Sequence, residues 1–149
     1  MTAQLGAGSA KLYTPRLLGL SAQLARFPLA GEYQHSAEAR SRTCGSTITV
    51  GLDLGEDGAV TRIGMQVTAC AVGQSSAAVL AQDAQGRTAR CFAAMLAKIE
   101  AWLAGEGPLP DWPGFDALEP ALPHKGRHDV LLLPWKAVTE ALSSPETAR

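Results

Sequence analysis

The stretch that decides the fold is Thr47-Ile48-Thr49-Val50-Gly51-Leu52-Asp53-Leu54-Gly55-Glu56-Asp57-Gly58-Ala59-Val60. Its first eight residues alternate polar and apolar, with Ile48, Val50, Leu52 and Leu54 on one side, which is the period of a half-buried strand. Glu56-Asp57-Gly58 then supplies the positive backbone angles of a tight turn, because glycine adopts them without a Cβ clash. Val60 opens a return strand on which Ile63, Met65, Val67 and Ala69 share a face, so the pair reads as an antiparallel hairpin. A further strand is expected between Tyr33 and Thr43, on a weaker and more polar pattern.

Helices flank this hairpin. Upstream, Thr14 reads as an N-cap and Pro15 as the first helical residue. Leu17, Leu20, Leu24 and Phe27 form the apolar stripe, with a stop at Pro28. The absence of acids before Glu32, against Lys11, Arg16 and Arg26, also fits a transit peptide, but start, stripe and stop agree on a helix. Downstream, Val72, Gly73 and Gln74 lead into a small-residue helical segment from Ser75 to Ala84, ended by Gly86. Thr88 caps the most strongly periodic helix, with Phe92, Met95, Leu96, Ile99, Trp102 and Leu103 on one stripe. Gly105 to Pro123 reads as an ordered connection with at most a short helix near Asp116 to Leu122. The last helix is expected to begin near Val130, since proline is tolerated best in a first turn and Pro134 must be accommodated, and to fray at Pro145. The fold class is therefore α+β, a small antiparallel sheet with helices packed on it, in a single domain over residues 1–149.

Composition narrows the function. Thirteen basic and fourteen acidic residues give a formal charge of -1, which excludes the basic field of a non-specific nucleic-acid binder. No apolar run approaches the roughly 20 residues of a membrane-spanning helix, so no membrane partner is expected. Three cysteines in a chain without a convincing signal peptide point to reduced thiols in a cytoplasmic setting, available for metal or sulfur chemistry.

Cys44 stands at the mouth of one strand and Cys70 where the hairpin ends and a helix begins, so the hairpin returns them to the same end of the sheet. Cys70, at a helix N-terminus, is the better nucleophile of the two. Each also reads as a small buried hydrophobe. Cys91, beside the apolar stripe one turn before Met95, reads as core.

Three stretches in order carry a family resemblance: Cys44-Gly45-Ser46; Ala69-Cys70-Ala71-Val72-Gly73-Gln74-Ser75-Ser76-Ala77; and Arg127-His128-Asp129-Val130-Leu131-Leu132-Leu133-Pro134-Trp135-Lys136-Ala137. They resemble the Cys-Gly-Asp, Gly-Cys and third-Cys motifs of the U-type iron-sulfur cluster assembly scaffolds, the family of SufU, IscU and the N-terminal domain of NifU. The insert from Gly105 to Pro123 places the resemblance nearer the SufU branch. It implies a non-enzymatic scaffold in which three thiolates and an Asp hold zinc or a nascent iron-sulfur cluster. A cysteine desulfurase would supply the sulfur, and recipient proteins would take the cluster.

Position by position, Cys44 and Cys70 match two thiolates, whereas Ser46 replaces the Asp and Val130 the third Cys. Two thiolates do not close a tetrahedral site. Asp129 and His128 are the leading candidates to complete it, Asp129 also reading as an N-cap; His124 sits in a polar loop and His35 has no evident partner. Three functions follow: a scaffold handling iron, zinc or sulfur through Cys44 and Cys70; a degenerate, metal-free homologue that binds or regulates the assembly machinery; or an unrelated thiol enzyme using Cys70, which lacks an activating base at a recognisable spacing.

Overall fold

The structure, a computed structural model, describes residues 12–42 and 45–143. Helix α1 spans Pro15–Gln23, with the Thr14 hydroxyl accepting from the Leu17 N–H at 3.1 Å, and runs into a 3-10 turn at Leu24–Arg26. Three strands follow, β1 His35–Arg40, β2 Thr47–Leu54 and β3 Val60–Thr68, as an antiparallel sheet in the order β1-β2-β3. The hairpin register pairs Val50 with Met65 and Ile48 with Val67, so the alternating apolar residues share one face, as their period requires. Gly58 holds the turn at φ 82°.

On that face lie helix α2, Ala71–Gln82, and helix α4, His128–Ser143, with α3, Ala89–Leu103, packed against α4. Helix α2 is the centre of the molecule. Its small residues are buried nearly throughout because it is pressed between α1, α4 and the sheet. Two of its hydroxyls bind neighbours: Ser75 donates to the Leu17 carbonyl at 2.6 Å, and Ser76 to the Leu131 carbonyl at 2.6 Å. Trp135 Nε1 in turn donates to the Ser76 hydroxyl at 2.9 Å, so one buried side chain joins α2 to two points of α4. The connection after α3 folds as a 3-10 segment, Phe115–Ala121. It brings Trp112 and Phe115 onto Trp135 with ring centroids 4.9 and 5.9 Å apart.

The opposite face of the sheet is covered in part by Tyr33. Its ring lies over Gly51 and Gly64, where any Cβ would collide with it. This cross-strand glycine pair is therefore a packing requirement.

Two boundaries differ from the sequence reading. Helix α2 starts at Ala71, with Cys70 as its N-cap residue as its place at the hairpin's end implies, but four residues before the small-residue segment expected from Ser75. Helix α4 starts at His128, which puts Pro134 at its seventh position, beyond the first turn. The Pro134 nitrogen cannot donate to the Val130 carbonyl. Gly73 of α2 packs there, where a Cβ would collide with the Val130 side chain and the Ala69 methyl.

Candidate functional site

Where the β2–β3 hairpin opens toward α2, a cleft is lined by Gly45, Ser46, Thr68, Ala69, Cys70 and Arg127, with about 450 Å³ of accessible space. Sheet register builds it. Thr47 pairs with Thr68, so the residues just outside the pair on either strand, Ser46 and Ala69, arrive at one edge, and Cys70 follows as the chain enters α2. Gly45 takes φ 70°, a left-handed conformation that glycine adopts freely, and turns the chain into β2.

Cys70 is a half-buried, free thiol. Its carbonyl accepts from the Gln74 N–H at 3.0 Å, but its side chain makes no capping hydrogen bond, so the sulfur is not engaged by its own helix. Gln74 reaches back to the Ala69 carbonyl at 3.0 Å and holds the entry to α2 in place. Ser46 is buried. Arg127 contributes the positive charge of the cleft, and its Nη2 donates to the Tyr13 hydroxyl at 3.4 Å. Sequence reasoning did not single out Arg127; in a polar His-Lys-Gly-Arg-His loop, nothing local distinguishes it from a solvated cation.

The other expected site residues sit as follows. Cys44 lies outside the described residues, while its chain neighbour Gly45 lines the cleft. Val130 is buried, and its Cγ2 would stand 2.7 Å from a Cβ at Gly73, with the Ala69 methyl 2.8 Å from the same point. Position 130 is thus beside the residue that precedes Cys70, and it presents a hydrocarbon there. Asp129 reaches the end of β1. Its Oδ2 accepts from the Ser41 hydroxyl at 2.8 Å and from the Arg42 N–H at 3.0 Å, fastening α4 to the strand end. His128 places Nε2 2.8 Å from the Leu122 carbonyl. Neither lines the cleft. His124 stands before the 3-10 turn Lys125–Arg127, and His35 opens β1 at the far end of the sheet, opposite Leu52. Cys91 packs against the core in the first turn of α3, its sulfur 3.6 Å from Arg87 Nη1.

Among the described residues, no group of three or more His, Cys, Asp or Glu side chains could hold a metal ion. Among the described residues, the donors at the cleft are the Cys70 thiol and the hydroxyls of Ser46 and Thr68, whereas zinc and iron-sulfur clusters are held chiefly by several thiolates or imidazoles.

Neither a protein-family profile nor a curated protein matches the chain. Solved structures do. The N-terminal part of a nitrogen-fixing NifU-like protein from Brucella abortus superposes with a TM-score of 0.83 at 32% identity, over 91% of this chain and 95% of that one. A putative iron-sulfur cluster assembly scaffold protein for the SUF system, from Fervidobacterium islandicum, superposes with a TM-score of 0.78 at 21% identity, over 90% and 98% of the two chains. A hypothetical protein follows at 0.67 and 16% identity, over 86% and 97%.

Proposed function

Since this chain belongs to the NifU-like N-terminal family of U-type iron-sulfur cluster scaffolds, we propose that it serves cluster assembly as a sulfur acceptor at the Cys70 cleft, without a closed metal site. One observation carries this reading: the position expected to supply the third thiolate is the buried methyls of Val130, packed beside Ala69 and Gly73. Ser46 supplies a hydroxyl that stays protonated near neutral pH where a carboxylate is expected, and Asp129 accepts from Ser41 and Arg42. What remains is a thiol chemistry through Cys70, joined by Cys44.

The step it performs is persulfide transfer. The Cys70 thiolate attacks the terminal sulfur of a persulfide on a cysteine desulfurase. The donor's S–S bond breaks, the donor cysteine leaves as a thiolate, and Cys70 carries the sulfane sulfur as a persulfide. No oxidant is consumed. The terminal sulfur of a persulfide is anionic near neutral pH, and a cleft whose described lining carries the Arg127 guanidinium is electrostatically suited to it. The protein is then a carrier of the cytoplasmic assembly machinery that receives sulfur, and the desulfurase is the catalyst.

The test has two arms. Anaerobically purified protein, with Cys44→Ala and Cys70→Ala alongside, should contain far less than one equivalent of zinc or iron by elemental analysis. Incubation with a cysteine desulfurase and cysteine should add the mass of one sulfur atom to a peptide containing Cys70, and Cys70→Ala should abolish it. A stoichiometric metal lost on either cysteine mutation would overturn the reading and restore the metal scaffold. The alternative, a partner that binds the desulfurase without accepting sulfur, would give complex formation with no mass increase.

A further inference from the structure

The formal charge of -1 hides a polarised molecule. At the turn end of the hairpin, Glu56 and Asp57 are exposed acids, and the arginines there are matched in the pairs Arg62–Asp53 and Arg87–Asp83. At the Cys70 end, cations predominate. Register sets Arg40 beside Thr47 and Thr47 beside Thr68, a cross-strand row on the sheet face away from the helices that ends two residues before Cys70. Arg42 follows just past β1, and Lys125 stands two residues before Arg127 in the turn that enters α4. Arg40, Arg42 and Lys125 are exposed, and no ion pair among the described residues engages them. The acids nearby are Glu38, one row back on the same face, and Asp129, which accepts from the Ser41 hydroxyl and the Arg42 N–H. Tyr33 covers that face farther along, at Gly51 and Gly64, whereas Glu38, Arg40, Gln66 and Thr68 stay exposed.

We propose that this basic, hydroxyl-rich end is a docking face for a carboxylate-rich protein surface, the one that surrounds the persulfide-bearing cysteine of the sulfur donor. The inference rests on the sulfur-acceptor role and deepens it by naming what holds the donor over Cys70. To bring its terminal sulfur to Cys70, the donor must lay the surrounding surface against the residues that flank the cleft. Those residues carry the cations: the Ser41 N–H bonds the Ser46 carbonyl, which sets Arg40 and Arg42 beside the Ser46 wall, and Lys125 adjoins Arg127. Exposed charges of this kind act mainly by steering the encounter and rejecting wrong orientations. Glu38 limits the patch, so carboxylates fit over Arg40 but are repelled one row farther along, which orients the donor. A nucleic acid fits less well, because its evenly spaced phosphates call for an uninterrupted run of cations.

Calorimetric titration against the cysteine desulfurase of the same organism, at about 50 and about 300 mM salt, tests this directly. The wild type should bind about tenfold more weakly at the higher salt. Arg40→Glu, Arg42→Glu and Lys125→Glu should each weaken binding about threefold to tenfold at low salt, and Glu38→Gln should strengthen it. Arg90→Glu makes the same change in net charge on the exposed side of α3. It lies close to Arg87, whose carbonyl holds Val60 about 26 Å from Thr68 along β3, and should alter nothing. Circular dichroism, and alkylation of the Cys70 peptide by neutral iodoacetamide, should be the same in every variant. Sulfur loading of Cys70, followed by mass in parallel, separates the two readings. Salt-dependent and Arg42-dependent binding with no sulfur moved leaves the docking face standing and removes the acceptor role. Loading with an affinity indifferent to salt and to the reversals overturns the docking face alone. A desulfurase that does not bind, an Arg90→Glu loss as large as that of Arg42→Glu, or preferential capture of duplex DNA overturns it too.

Discussion

Restoring two side chains should give this protein a metal site, and the cost of doing so follows from where they lie. Ser46→Asp combined with Val130→Cys replaces the hydroxyl lining the Cys70 cleft with a carboxylate and the buried hydrocarbon beside Ala69 with a thiol. Val130 is 1% exposed and Ser46 7%, so neither change is free. The smaller thiol gives up about 1 kcal/mol of packing, and a carboxylate at a buried position without a metal costs on the order of 1–3 kcal/mol more. In a chelator the double variant should therefore unfold about 5–15 °C below the wild type, at roughly 2–4 °C per kcal/mol for a chain of this length. Free zinc at about 100 times the dissociation constant should return about 2.7 kcal/mol, or roughly 5–10 °C. Thermal unfolding with and without zinc, together with elemental analysis, reads both effects. The wild type should show no comparable zinc shift, and adding Cys70→Ala to the double variant should erase it. The reasoning is refuted if the wild type is stabilised by zinc as strongly as the double variant, or if the folded double variant binds none.

Two other perturbations test the fold and its charge network. Ser76→Ala removes both the acceptor of the buried Trp135 Nε1 and the donor to the Leu131 carbonyl, and should cost about 2–4 kcal/mol in urea unfolding, because a buried donor is left unpaired. Burial pushes the Asp53 carboxyl up, but the Gln34 N–H and Arg62 outweigh it and leave its pKa below the ordinary carboxylate value. A lowered folded-state value means stability that is present above the unfolded pKa of about 4 and is lost as pH falls through the folded one. Asp53→Asn should then flatten the stability-versus-pH curve on the acid side of about pH 4, and an unchanged acid limb would contradict it.

The hairpin was legible because two strands with one buried face must alternate, and the observed β2, Thr47–Leu54, has the bounds that the alternation gives. α1 and α3 were legible from a hydroxyl cap followed by an apolar stripe. The start of α2 was legible at Cys70, the expected helix N-terminus, but its first turn was not read as helix, since a helix buried on every side has no stripe to read. The start of α4 was not legible. The local rule confines proline to the first turn, but Pro134 is carried deeper by contacts with α2 that lie more than fifty residues away in the chain. Asp129 was legible as a polar residue at a helix start, and its partners, Ser41 and Arg42, are 88 and 87 residues distant. β1 was faint because its buried face is only Ala37 and Ala39, enough for a strand that α4 covers.

The same geometry explains how such a site can lose ligands while the fold remains. Position 130 is buried in the core beside Ala69, which lines the cleft. A cysteine there is a small hydrophobe when no metal is bound, so valine adds hydrocarbon to a space already closed by Ala69 and Gly73 and strengthens the packing. Ser46 acts at the opposite wall, where a carboxylate without a metal would be a buried charge. Its replacement by a hydroxyl therefore relieves the fold once position 130 has stopped supplying a ligand. Each change makes the other cheaper, and among the described lining residues Arg127 carries the charge of the cleft. A guanidinium at that wall suits an anionic sulfur species better than a metal dication, which is the electrostatic basis of the proposed sulfur-acceptor role.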